Sequence, residues 1–240
     1  MKTPSFLLLH ASILPLFLIT SCLSGIGGED GNGHVTTVER KVSSFDAIKA
    51  GGAFEIMLSR DSSESVTIEA DENLMDLIRT EVRGSTLVIE TTKRIGNFEC
   101  LKVHVGYRVL RSLSFSGGSQ VTGRNVLSAE RLDIESSGAS DIELEIQAAE
   151  LDIELSGAGN IEIRGQAGEA DIEISGAGKL YAEDLETARM DIEVSGAGNA
   201  RVFAREELRA KVSGAGSIKY KGNPAKVNQD VSGAGSISTF

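Results

Sequence analysis

Tryptophan is absent from this chain, and proline, histidine and cysteine nearly are: three, three and two in 240 residues. Aromatic residues make up only 5%. So little histidine and cysteine leaves almost nothing from which to build a metal centre or an activated nucleophile. So few rings leave sugar-stacking platforms scarce. Cations are also short, 24 Lys and Arg against 35 Asp and Glu, for a net charge of −11. Phosphate binding draws its affinity from clustered cations, so this balance argues against a nucleic-acid partner. What the chain has in excess is glycine, 27 residues, beside 40% hydrophobic residues. That combination describes a folded chain with many tight turns rather than a disordered one. Its length suits one or two domains.

Residues 1–21 read as an export signal. Lys2 supplies a short positive start, and Phe6 to Ile19 is mostly apolar, broken by His10 and Pro15. The run is too short for a comfortable membrane span and ends in small residues. Ile19-Thr20-Ser21-Cys22 resembles the lipobox of bacterial lipoproteins. That resemblance implies that Cys22 becomes the mature N-terminus and carries lipid, anchoring the protein to the outer membrane on its periplasmic or surface face. The alternative is an ordinary secretory signal with an incidental Cys. Anchoring gains about 0.8 kcal/mol per buried CH₂ and takes more than one chain, which a diacylated or triacylated Cys supplies. Residues 22–34 are Gly-rich and aperiodic and read as a flexible tether. Only Cys100 would then keep a thiol, so the exported domain must be stable without an intrachain disulfide. Beside Leu101 and Val103, Cys100 reads as a small buried hydrophobe before a reactive group.

The tetrapeptide Ser-Gly-Ala-Gly begins at Ser156, Ser175, Ser195, Ser213 and Ser232, with degenerate copies at Ser116 and Ser137. The intervals are 21, 19, 19, 20, 18 and 19 residues. In the last six copies, positions five, three and one before the Ser are apolar in 16 of 18 cases, the exceptions being Ser136 and Gln229. The residues between them are all polar, mostly Asp and Glu. Such alternation is the signature of a strand with one buried face. A period near 19 is too short for a helical repeat or a propeller blade but fits one coil of a solenoid. The expected fold is therefore all-β: a right-handed single-stranded parallel β-helix, with two or three short strands and tight corners in each coil, over residues 116–240. Gly at the repeated corner permits positive φ and close backbone approach. The flat small-residue edge is either only a corner or a surface that packs against another rod.

Residues 35–115 lack the tetrapeptide but carry short β-branched runs, such as Val66-Thr67-Ile68 and Leu101-Lys102-Val103-His104-Val105. Asp71 to Ile78 fits one short helix with Asp71 as its N-cap. With no linker before the repeats, this part is expected to form irregular first coils that cover one end of a single domain over 35–240. The order of features resembles the bacterial putative auto-transporter adhesin family, also called the head GIN domain. The residues that carry the resemblance are Phe45-Asp46-Ala47-Ile48, Gly51-Gly52-Ala53-Phe54-Glu55-Ile56, Val66 to Leu74, Gly84-Ser85-Thr86-Leu87-Val88-Ile89 and the repeats. It spans roughly residues 40 to 235. It implies an exported envelope β-helix with an adhesin-like role; it brings no catalytic residues or cofactor with it.

The chemistry available is electrostatic. In a stack, Asp133, Asp152, Asp171 and Asp191 form one ladder and Glu135, Glu154, Glu173 and Glu193 another. They read as a solvated face, with weak cation binding as the alternative. Residues 130–195 hold 18 acids and 4 bases, whereas residues 201–226 hold 7 bases and 2 acids. Either each sign merely solvates its own coil, or the basic end attaches to anionic glycan, lipid headgroups or the acidic flank of another copy. No clear cap follows the last tetrapeptide, so a partner subunit or homo-oligomer could cover an exposed coil. His34 and His104 have no spaced Cys or His partner, and no phosphate loop or nucleophile elbow is present. The expected function is a non-catalytic envelope interaction or adhesion module, with a glycan or another envelope or host surface protein as its expected partner. The rivals are a β-helical polysaccharide lyase or glycosidase and a purely structural envelope protein.

Overall fold

In the computed structural model, which describes residues 27–240, the repeats lie in register one above another. The signal segment 1–21, Cys22 and the start of the tether fall outside the described residues. Nine short strands come first: β1 (Val35–Arg40), β2 (Ala47–Gly52), β3 (Glu55–Arg60), β4 (Ser65–Asp71), β5 (Ile78–Arg83), β6 (Thr86–Thr91), β7 (Leu101–Tyr107), β8 (Ser112–Gly117) and β9 (Gln120–Gly123). Then β10 (Leu127–Gly138), β11 (Asp141–Gly157), β12 (Asn160–Gly176), β13 (Lys179–Gly196) and β14 (Asn199–Gly214) wind round the stack. The last are β15 (Ser217–Lys221), β16 (Lys226–Gly233) and β17 (Ser236–Thr239). The result is an all-β solenoid of stacked parallel coils of about 19 residues, roughly seven turns in all.

Where two or three strands per coil were expected, β11, β12 and β13 are each a single long strand bent at a corner. In β11 the buried positions are Ile142, Leu144, Ile146, then Leu151, Ile153 and Leu155. The step of five between Ile146 and Leu151 turns the chain and lets both halves point inward. Like residues stack: Ile134, Ile153, Ile172, Ile192 and Ala210 share one column, all 3% exposed or less. Each such buried Ile contributes roughly 1.5–3 kcal/mol, which is what holds the coils together.

The tetrapeptide is the second corner. The N–H after each corner Gly donates to the corner Gly carbonyl of the coil before: Ala139 to Gly117 at 2.7 Å, Ala158 to Gly138 at 2.8 Å, Ala177 to Gly157 at 2.9 Å. A Cβ on Gly138, whose φ is +128°, would lie 2.5 Å from that same Gly117 oxygen. Glycine is therefore required by both the dihedral and the close approach.

The region before Ser116 is not a plain run of coils. β2 pairs with both β6 and β8, and β3 with both β7 and β9, all in parallel. The coil at 47–60 is thus sandwiched between one at 86–107 and one at 112–123. The intervening chain reverses: β4 runs antiparallel to β7, β1 antiparallel to β4, and β5 antiparallel to β6. These strands close one end of the stack.

Two expectations are corrected there. Asp71 precedes a short 3-10 helix, Glu72–Leu77, but its side chain makes no cap bond. Its carboxylate is fully buried and accepts backbone N–H groups from Gly33 (2.6 Å), Glu99 (2.9 Å) and Cys100 (3.1 Å). The segment Glu29–His34, expected to be free tether, is tied down. The Glu29 N–H donates to the Arg94 carbonyl and the Gly96 N–H to the Glu29 carbonyl, both at 2.9 Å, and Asn97 N–H donates to Asp30 Oδ1 at 2.7 Å. Asn32 N–H donates to Asn73 Oδ1 at 2.9 Å. The aperiodic Gly-rich sequence misled because its order comes from backbone groups, not from an apolar pattern.

Candidate interaction surface

The coil register places Asp133, Asp152, Asp171 and Asp191 in one outward row and Glu135, Glu154, Glu173 and Glu193 in the next. Arg209 and Lys211 continue the rows. Repulsion along them is relieved from the ends. Arg131 reaches Asp133 at 3.2 Å and Asp152 at 2.7 Å, Arg209 lies 3.8 Å from Asp191, and Lys211 lies 2.8 Å from Glu193. Ser114 Oγ donates to Glu135 at 3.0 Å. Among the described residues, Glu135, Glu154, Asp171 and Glu173 have no ion-pair partner. Burial pushes the Asp152 carboxyl up and neighbouring Asp133 and Asp171 add to it, while Arg131 offsets only part. Burial and then Asp171 likewise raise Asp191.

A third row, Arg131, Glu150, Glu169, Arg189, Glu207 and Lys226, mixes its signs. Arg131 pairs with Glu150 at 3.2 Å, Arg189 with Glu169, and Lys226 with Glu207 at 2.8 Å. Elsewhere Arg164 meets Glu145 at 3.4 Å, Arg205 meets Glu186 at 3.2 Å and Arg201 meets Glu183 at 2.9 Å. Sequence reasoning missed these pairs, although the signal was there: many partners stand one repeat period apart. Each exposed pair contributes only about 0–1 kcal/mol, but together they favour one register. Of the seven cations in 201–226, only Lys219 lacks an ion-pair partner among the described residues; the basic end is engaged with the acidic coils below it.

The grooves along these rows are shallow and open. One is lined by Arg131, Asp152, Asp171, Arg189, Asp191 and Arg209, another by Asp133, Glu135, Asp152, Glu154, Asp171 and Glu173. Among the described residues no three His, Cys, Asp or Glu side chains come together as a metal site. His104 lies half-exposed on β7, 4.0 Å from Glu69 Oε2, and His34 is exposed beside β1. Cys100 is buried, its Sγ 3.4 Å from the Glu69 carbonyl, and burial and then Glu69 push its thiol up, away from the reactive thiolate.

A family model described as "Putative auto-transporter adhesin, head GIN domain" matches residues 44–224. The chain belongs to this family. No curated protein matches it. The head GIN chain is similar to a putative adhesin of Bacteroides fragilis, at 28% identity and a TM-score of 0.85, over 89% of this chain and 100% of that one. It is also similar to a putative lipid binding protein of Parabacteroides distasonis, at 26% identity and a TM-score of 0.75, over 88% and 98%. A putative adhesin of Parabacteroides merdae, 23% identical over 88% and 98% with a TM-score of 0.67, shares the fold.

Proposed function

We propose that this head GIN protein is an exported, non-catalytic adhesin-like module, lipid-anchored at Cys22 to the outer membrane, that works by surface contact along a stiff rod. The observation that carries the reading is the shape of the solenoid. From Ser116 onward its coils are short and uniform, its interior is filled by stacked Ile, Leu and Val, and its grooves are open: two follow the charged rows, and a third, between Val109 and Ala149, mixes small apolar with charged residues. An enzyme site or lipid cavity needs concave walls that exclude water, which these sides do not offer. The adhesin names of the family and of the Bacteroides fragilis neighbour support the role. Ile19-Thr20-Ser21-Cys22 supports the anchor. Palmitate labelling tests the anchor: label is expected on the wild type and absent from Cys22→Ala, and label retained in the variant contradicts it. Acidic polysaccharides should emerge uncleaved from incubation with the protein; depolymerisation would replace the non-catalytic reading with a lyase or glycosidase.

A further inference from the structure

The two ends of the rod are built differently. At the capped end the open edges belong to β1 and β5. Those edges carry Glu39, Arg40, Arg79, Glu81 and Arg83, and Arg40 turns inward to donate to the Met75 carbonyl at 3.2 Å. Charges on an edge, above all one pointing inward, block further strand addition. At the other end β16 bonds only to β14 and β17 only to β15. Their outer N–H and C=O groups have no partner among the described residues. The two strands carry just Lys226 and Asp230 as charges. Val227 and Val231 are 38% and 45% exposed, although Leu208 and Val212 directly below them are fully buried.

We infer that this open coil is a docking surface for a second copy of the same chain, joined open end to open end about a two-fold axis with β16 antiparallel to β16. The charged edge of the capped end disfavours head-to-tail addition, so the contact closes as a dimer and does not grow into a filament. Inward residues stay inward only if the offset between the strands is even. The register that sets Gln229 against Gln229 of the other copy sets Val227 against Val231 and brings Lys226 diagonally to Asp230, within reach of a long side chain. Gln229 is also the polar exception in the inward pattern; its Nε2 donates to Tyr220 Oη at 3.1 Å, and at a two-fold axis its amide oxygen and second N–H are left to bond to its own symmetry mate.

The geometry deepens the adhesin reading on which it partly rests. Glu29–His34 is bound to the capped side through loop 94–97 and Asp71. Six chain steps from Cys22 to Gly28 reach at most roughly 20 Å. An anchor at Cys22 therefore holds the capped end near the membrane and turns the open end away from it, so a dimer of this kind links two membranes.

Cross-linking tests the contact. In detergent, full-length Gln229→Cys should form a disulfide-linked dimer on mild oxidation, because facing strand residues sit 4.5–5.5 Å apart at Cα, within disulfide range. Glu173→Cys, outward in mid-rod, should not. Val231→Asp added to Gln229→Cys should cut the dimer yield by at least about tenfold, since the contact would bury an unpaired charge; circular dichroism should be unchanged, as Val231 is exposed in the single rod. Gln229→Cys that remains monomeric, or a yield indifferent to Val231→Asp, overturns the inference. Loss of the Cys22 label would remove only the link between membranes and leave the self-docking standing.

Discussion

Gly138→Ala tests the corner stack directly. The new Cβ meets the Gly117 carbonyl oxygen at 2.5 Å and its nitrogen at 2.9 Å, and φ there is +128°. Neither neighbour can retreat cheaply, because the Gly117 oxygen accepts the Ala139 N–H at 2.7 Å. A strained dihedral costs about 1–3 kcal/mol, and relieving the clash costs one corner hydrogen bond, about 1 kcal/mol. The total is about 2–4 kcal/mol, which lowers Tm by roughly 5–15 °C in a chain of this size. Gly118→Ala, one residue beyond the preceding corner glycine, is the control. Its Cβ meets nothing within 4 Å, and Ala already stands at that place in the intact corners. It should be neutral or stabilising by up to about 1 kcal/mol, through the unfolded chain. Thermal melts followed by circular dichroism read both variants. Equal midpoints for the two would refute the argument that the corner backbone is stacked this tightly.

Ser136 lies fully buried between Phe115 and Leu155, its hydroxyl without a partner, so Ser136→Ala should stabilise by about 1 kcal/mol in urea denaturation; destabilisation would mean that the hydroxyl is bonded in solution. Asp71 and Asp152 should give opposite pH slopes. Burial alone would raise Asp71, but its backbone N–H partners outweigh burial and hold it below the usual 3.8. Its contribution is present above that pH and is lost as pH falls further, so Asp71→Asn should flatten the acid limb of a stability–pH curve. Asp152 is raised above 3.8, so its protonation favours the fold below that value and the gain is lost as pH rises through the raised pKa. Asp152→Asn should therefore stabilise at neutral pH and flatten the curve just above pH 3.8; a loss of stability at neutral pH would show that the Arg131 pair outweighs burial and crowding.

The regular part of the rod was legible because its two signals coincide. Alternation at Leu151, Ile153 and Leu155 marks an inward face, and the recurring Ser-Gly-Ala-Gly marks where the chain must turn against its own backbone. What escaped was everything made by non-local backbone bonding. Gly51-Gly52-Ala53 is a further corner, stacked under Gly117, but 65 residues separate Gly52 from Gly117 and hide its place in the period. The inserted chain folds back as antiparallel strands, a reversal that no local pattern announces. Asp71 looked like a cap because helix starts favour Asp. It is instead a buried acceptor for segments 38 and 29 residues away. On the surface, the acidic rows were visible, and their cations one period away were the missed half.

The most direct test of the account is where the rod lies on the cell. Lys219 and Lys226 are exposed near the open end, so a membrane-impermeant amine reagent applied to intact cells should label the wild-type protein there. Label that appears only after the outer membrane is breached would contradict the surface-contact role.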